Sequence, residues 1–231
     1  MVFIMINVIC VKAGTKYNHT HVNRLFKMVK RNLTLPFKFY CLTDNSEQIN
    51  DEVRCIPIKH LWLEKWWNKL AMFEEGFGSL EGRCLYFDLD VIIQNNIDEI
   101  VDYQPNGLCK IHAYWKDESV IGVDYDMRRN SSCLTWNANE LSEIWDYFLD
   151  NEDAILTKYV GIDRFLYWEE KMNQMVSTFP EEWFYSRFAG DGETKHDGLY
   201  YRPERKVCLL NGLDYSGYTE KEMLEGLEEY F

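Results

Sequence analysis

The sequence predicts an α/β fold: one domain with a mostly parallel central sheet, flanking helices and a mixed-strand C-terminal half. Three observations predict it. Apolar, β-branched runs alternate with segments of helical period through the first hundred residues, the pattern of βαβ units with right-handed crossovers. The chain has 231 residues, a length that one large domain can hold. It contains no linker, low-complexity run or internal repeat, so we expect a single domain over 1–231.

The elements follow in order. Residues 2–11 are an apolar run of the kind buried on both faces of a sheet. The N-terminal stretch is broken by Asn7, lacks a basic leader and is too short to cross a bilayer, so we expect a strand and no targeting or transmembrane segment. A polar turn follows. Val22, Leu25, Phe26 and Val29 then repeat at helical spacing until Pro36. Residues 37–43 form a second strand closed by Asp44, Asn45 and Ser46. Residues 54–58 form a short third strand, which Pro57 assigns to a sheet edge. Residues 62–77 return to helical period through Trp66, Trp67, Leu70 and Phe73, with Gly76 and Gly78 ending the helix. Residues 83–93 are the strongest strand, and Asn96 caps a short helix after it.

The second half is less regular. Residues 107–115, 119–125 and 131–136 read as strands. Residues 139–150 read as a helix with Leu141, Ile144, Trp145, Phe148 and Leu149 on one face, and 162–172 as another helix. Residues 207–211 are a late strand, and Thr219 with Glu222 makes a capping box for a final helix.

Composition narrows the function. Hydrophobic residues are 46% and charged residues 27%, which excludes a disordered chain, a collagen repeat and a coiled coil. The net charge is −13, and the short basic cluster Lys27, Lys30 and Arg31 reads as a solvated helix face. This balance argues against duplex nucleic acid and anionic membrane as partners, because both need a basic surface. A phosphorylated ligand would need a metal cation beside it. The seven cysteines are scattered with no CxxC pair, and several lie in apolar runs, so they read as small buried hydrophobes in a reducing, cytoplasmic compartment. The sequons at Asn18, Asn32 and Asn130 then carry no glycan.

One feature breaks the apolar pattern: Asp88-Leu-Asp90 inside Leu-Tyr-Phe-Asp-Leu-Asp-Val-Ile-Ile. Residues i and i+2 of a strand share a face, so the two carboxylates converge while Leu89 points away. Two like charges beside a hydrophobic strand call for a cation. Carboxylates are hard oxygen ligands, suited to Mg²⁺, Ca²⁺ or Mn²⁺ rather than copper. The alternative is an Asp pair at a solvated strand end; Asp124 and Asp126 form a second such pair without an apolar lead-in.

This Asp88-Leu-Asp90 segment resembles the DxD motif of nucleotide-sugar glycosyltransferases of the GT-A fold. Trp67-Asn68-Lys69-Leu70 resembles the Lys-Leu helix of the glycogenin-like family 8 enzymes. The run from Arg129 to Ser132 resembles their Asn-Ser strand start, Gly161-Ile-Asp163-Arg164 their Gly-Asp-Gln segment, and Val207 to Gly212 their late strand ending in His-Gly. The resemblance spans nearly the whole chain. It implies a nucleotide-binding half (1–105), an acceptor-side half (106–231), a UDP-sugar donor, a bound Mn²⁺ or Mg²⁺, a hydroxyl-bearing acceptor such as a glycan, and retention of configuration. It assigns Val11, Gly14, Tyr17, Asp44, Lys69 and Asp88 to the donor, Asp88, Asp90 and Asn211 to the metal, Ser131, Asp163 and Arg164 to the acceptor, and Asp163, Lys69 and Asn130 to catalysis.

Each assignment has a plainer alternative from the residues themselves. Tyr17 could pack locally, and Asp44 could make a turn. Lys69 could be an exposed helix lysine, Asp163 a first-turn carboxylate favoured by the helix dipole, and Asn130 and Ser131 a turn. The chain also departs from the family. Asn211 replaces the late His, Arg164 replaces Gln, and Asp214 could stand in as a ligand. The five histidines show no metal-ligand spacing, and His19 and His21 read as helix-capping groups. The Gly-rich loop 190–198, with His196, reads as a lid or a plain surface loop. Trp183, Tyr185, Tyr200 and Tyr201 suit sugar stacking or core packing. Two other functions stay open: a nucleotide-sugar or glycan-binding protein without turnover, and a DxD phosphatase.

Overall fold

The computed structural model describes residues 5–113, 115, 129–191, 198–213 and 216–231. The expected strand 119–125, the pair Asp124 and Asp126, His196 with most of the loop 190–198, and Asp214 lie outside the described residues.

Strand β1 (Ile6–Lys12) leads to helix α1 (His19–Asn32), then β2 (Phe37–Thr43) and β3 (Val53–Pro57). After a 3₁₀ segment (Lys65–Phe73) come β4 (Arg83–Phe87), β5 (Val91–Ile93), α2 (Asp98–Asp102), β6 (Leu108–His112) and β7 (Arg129–Asn137). The rest is α3 (Ser142–Asp150), α4 (Glu152–Lys158), α5 (Ile162–Trp168), α6 (Glu170–Gln174), β8 (Val176–Thr178), β9 (Phe184–Ser186), β10 (Val207–Leu209) and α7 (Glu220–Leu224).

Seven strands form the main sheet in the order β3-β2-β1-β4-β7-β6-β8, and β5-β10-β9 form a second, smaller sheet. Strand β1 lies parallel to both β2 and β4. Strand β7 enters antiparallel between β4 and β6. The sheet therefore runs unbroken from the first half of the chain into the second. Pro57 ends β3 at the sheet edge, where a missing N–H costs no ladder bond.

Two hydrophobic layers cover the main sheet. On one face, α1 buries Val22, Leu25, Phe26, Met28 and Val29 against Val8, Cys10 and Phe39. Each fully buried side chain of this kind stabilises by roughly 1.5–3 kcal/mol. On the other face the 3₁₀ segment, α3 and α5 pack Trp67, Leu70, Phe148 and Phe165 over Ile9 and Tyr86. Helix α1 opens with a capping box in which Asn18 accepts from Thr20 N and the His21 ring accepts from Asn18 N. The capping box at Thr219 and Glu222 is also present.

Three expectations need correction. The run 83–93 is two strands in two sheets, broken at Asp88–Asp90. Asp88 and Asp90 therefore occupy a turn beyond β4 and not the strand itself, although Leu89 still turns into the core between two half-buried carboxylates. The helix expected over 62–77 is 3₁₀ over Lys65–Phe73. With three residues per turn, Trp67, Leu70 and Phe73 line one face, and Trp66 is left 42% exposed. The helix expected over 162–172 is two short helices separated by an extended Glu169, which accepts from the hydroxyls of Tyr147 and Tyr159. On α3, Leu149 is exposed while Ile144, Trp145 and Phe148 are buried.

Candidate active site

The topology gathers polar side chains at one edge of the main sheet. Parallel strands β1, β2 and β4 end there at Lys12, Thr43 and Phe87, and antiparallel β7 begins there, with Cys133 opposite Phe87. Open α/β sheets bind ligands beyond the carboxyl ends of their strands.

Lys69 is 8% exposed, which removes the exposed-lysine alternative. Its ammonium lies 2.8 and 2.9 Å from the two Asp88 oxygens, donates to Ser131 Oγ at 3.0 Å, and stands 5.3 Å from the Tyr86 ring centroid. The Tyr86 hydroxyl donates to Asp88 Oδ1. Burial, then the charge of Asp88, pushes the Tyr86 phenol well above its ordinary value, so it remains a donor. The backbone N–H of Asp88 donates to Ser132 O at 2.9 Å, which locks the turn onto β7.

Asp90 receives the Tyr17 hydroxyl at 2.9 Å. Burial and the nearby Asp88 charge raise its carboxyl above the usual carboxylate range, against the opposing pull of Tyr17, Lys69 and Lys16. Leu210 N donates to Asp90 O at 2.8 Å, extending the β5–β10 pairing and setting Asn211 next to the acidic turn. Among the described residues, the buried Asn211 Oδ1 has no hydrogen-bond partner. Among the described residues no three His, Cys, Asp or Glu side chains form a metal cluster. Asp88, Asp90 and the Asn211 amide supply oxygen donors, the chemical kind that a hard cation takes.

The remaining sequence-predicted residues fall into two groups. Asp44 accepts from Gly14 N at 2.7 Å and pairs with the buried Lys12 at 3.4 Å, so its carboxylate holds the turn after β1. Gly14 has a φ of 69°, which favours glycine there. Val11 is half-buried just before Lys12. The Tyr17 ring meets His21 edge-on at 5.2 Å, so both local packing and the link to Asp90 use it. Asn130 Oδ1 accepts from Ser132 N within β7, where the pairing with β6 shifts register.

Asp163 lies in the first turn of α5, 4.0 Å from the Nζ of Lys110, a lysine with no exposed side-chain surface. Arg164 follows on the same helix, half-buried. Tyr185 and Tyr200 are core residues, and Trp183 packs on Tyr103 and Phe179.

Sequence reading missed Tyr86, Lys12 and Lys110. Tyr86 was findable, since it stands two residues before Asp88 on the same strand face. Lys110 interrupts the apolar run of β6, a signal like the one that flagged Asp88.

No family model matches the chain, and no curated protein matches it in sequence. Solved structures do match. One is the galactosyltransferase LgtC in complex with donor and acceptor sugar analogs, at 13% identity over 97% of this chain and 93% of that one, TM-score 0.58. Another is the glycosyltransferase GlyE of Streptococcus pneumoniae TIGR4, at 13% identity over 94% of this chain and 60% of that one, TM-score 0.66. A third is a glycosyltransferase involved in glycosylation of the major capsid of PBCV-1, at 12% identity over 97% and 98%, TM-score 0.52. The sheet, its acidic turn and these likenesses agree: the chain has the GT-A-like fold of these glycosyltransferases.

Proposed function

We propose that this protein is a metal-dependent glycosyltransferase that moves a sugar, with retention of configuration, from a nucleoside-diphosphate sugar to a hydroxyl-bearing acceptor. A UDP-sugar is the favoured donor. The observation that carries the reading is the convergence of Lys69, Asp88 and Asp90 at the carboxyl end of β4, beside the unpartnered Asn211 oxygen.

Asp88, Asp90 and Asn211 would hold a Mn²⁺ or Mg²⁺. When bound, that cation supplies Lewis-acid neutralisation of the departing diphosphate. The chain's own residues do the rest. Tyr17 and Tyr86 orient the two carboxylates by donating to them. Lys69 brings a second positive charge to the donor side while Ser131 fixes its ammonium. The turn held by Asp44 and Gly14 faces the nucleotide with backbone donors. Asp163, with Arg164 beside it, orients the sugar and its acceptor, and Asn130 shapes the strand start beneath them.

Calorimetric titration of UDP, then GDP, with and without Mn²⁺, on the native chain and on Asp90→Ala tests this. Metal-dependent nucleotide binding that vanishes in the variant is the expected result. A folded protein that binds neither nucleotide in the presence of metal overturns the UDP/GDP-sugar reading. One observation favours a second reading, binding without turnover: the third donor is an amide, a weaker ligand than imidazole for Mn²⁺. Nucleotide binding without donor hydrolysis or transfer would select it.

A further inference from the structure

Trp66 and Trp67 are adjacent but have opposite surroundings. Trp67 is buried and stacks on Phe148 at 5.7 Å between ring centroids. Trp66 is 42% exposed and has no ring partner among the described residues. Its place follows from the 3₁₀ geometry, in which residues i and i+3 stand over one another with a rise of about 2 Å per residue. Trp66 therefore shares its face with Lys69, roughly 6 Å along the axis, and Lys69 holds Asp88.

A second element fixes the ring. Gly161 has a φ of 92°, and a Cβ built there would come within 2.7 Å of the Trp66 indole nitrogen. One face of the indole's pyrrole ring thus lies over bare backbone, two residues before Asp163, leaving the N–H edge and the opposite face clear of that contact. The Lys65 ammonium stands 5.5 Å from the ring centroid. A large aromatic surface is therefore held by Gly161 and Lys65 outside the core, on the segment that carries Lys69 and against the N-terminus of the helix that carries Asp163. Leaving such a surface wetted costs apolar burial, and Gly161 is a conformationally expensive residue to use as its seat.

We propose that Trp66 is a stacking platform for a pyranose ring of the acceptor, which makes the acceptor a saccharide. This rests on the transferase reading above. An indole offers a flat apolar face to the C–H face of a sugar ring and a polar N–H at its edge. The nucleotide side is elsewhere: Gly14, Tyr17 and Asp44 lie beyond β1 and β2, whereas Trp66 abuts α5, which packs over β7. Gly161 acts as the positioning residue for the ring.

Saturation-transfer NMR with lactose, maltose and the methyl glycosides of galactose and glucose, with UDP and Mn²⁺ present, tests the assignment. At least one of these sugars should bind the native chain through its ring C–H protons. Trp66→Ala should weaken that sugar about tenfold and Trp66→Phe by much less, with UDP affinity and the melting temperature unchanged. Native-like sugar binding by Trp66→Ala, or no binding of any of the four sugars by a native chain that binds UDP, overturns the proposal. Failure of UDP to bind the native chain, with Trp66-dependent sugar binding intact, overturns the donor reading and leaves the platform standing.

Discussion

The Tyr17 hydroxyl donates to Asp90 Oδ2 at 2.9 Å, tying the turn after the first strand to the turn after the fourth. The two residues are 73 positions apart, and Tyr17 packs edge-on against His21 at the start of α1. Through this bond the aim of Asp90 depends on the first helix. Tyr17→Phe should lower Mn²⁺ affinity about 10–100-fold, the usual cost of losing a group that orients a ligand. Stability should change by no more than about 1.5 kcal/mol. Parallel metal titration and thermal unfolding check both numbers; unchanged metal affinity would remove Asp90 from the ligand set.

Lys69 is buried against Asp88, so its charge cannot be deleted quietly. Lys69→Met should reduce transfer about 100–1,000-fold, the scale of losing one preorganised electrostatic group. Lys69→Arg should recover part of the loss, because a guanidinium keeps the charge but not the point geometry. Single-turnover rates with a UDP-sugar donor measure this. Equal rates in Lys69→Met and the native protein would make Lys69 purely structural.

Lys110 and Asp163 form a further ion pair, with the lysine fully buried. A double-mutant cycle of Lys110→Met and Asp163→Asn should show a coupling of about 0.5–3 kcal/mol in unfolding free energy. Additive effects would mean that the 4.0 Å separation carries no interaction.

Glu169 governs an acid transition away from the site. Burial opposes its charge, yet hydrogen bonds from Tyr159, Tyr147 and Lys158 hold its carboxyl below the ordinary glutamate value. A depressed folded-state value means that this contribution is present above the unfolded pKa of about 4.3 and is lost as pH falls through the folded value. Glu169→Gln should therefore lower the melting temperature more at pH 7 than at acid pH, the difference shrinking as pH falls through the folded value. A constant difference between native and variant at both pH values would show that the carboxylate charge is not the source.

Much of this was legible in the sequence because period-2 and period-3.6 patterns report burial directly. The first strand, expected over 2–11, the strand at 37–43, the α1 face and the capping box at Thr219 and Glu222 follow from residue type and spacing alone, whereas the box that Asn18 makes with His21 does not. Asp88 and Asp90 stood out as charges in an apolar run. The division of 83–93 between two sheets did not, because Phe87 and Val91 are equally apolar and only β10, more than a hundred residues later, decides which strand pairs where. The 3₁₀ form of Lys65–Phe73 was hidden likewise: Trp67, Leu70 and Phe73 satisfy the α-helical spacing as well as the 3₁₀ one, and only Trp66 departs from the latter. Partnerships such as Lys110 with Asp163 depend on the packing of α5 over β7, which no local pattern encodes.

The seam between the two sheets also sets an order of assembly. Both aspartates emerge from the ribosome early, but the amide that clasps Asp90 belongs to Leu210, and the unpartnered oxygen beside it to Asn211. Most of the chain must be synthesised before that turn has its final shape. A nascent or proteolytically shortened chain ending before Val207 would carry the acidic pair without its clasp, keeping the motif while losing the architecture that makes it a site.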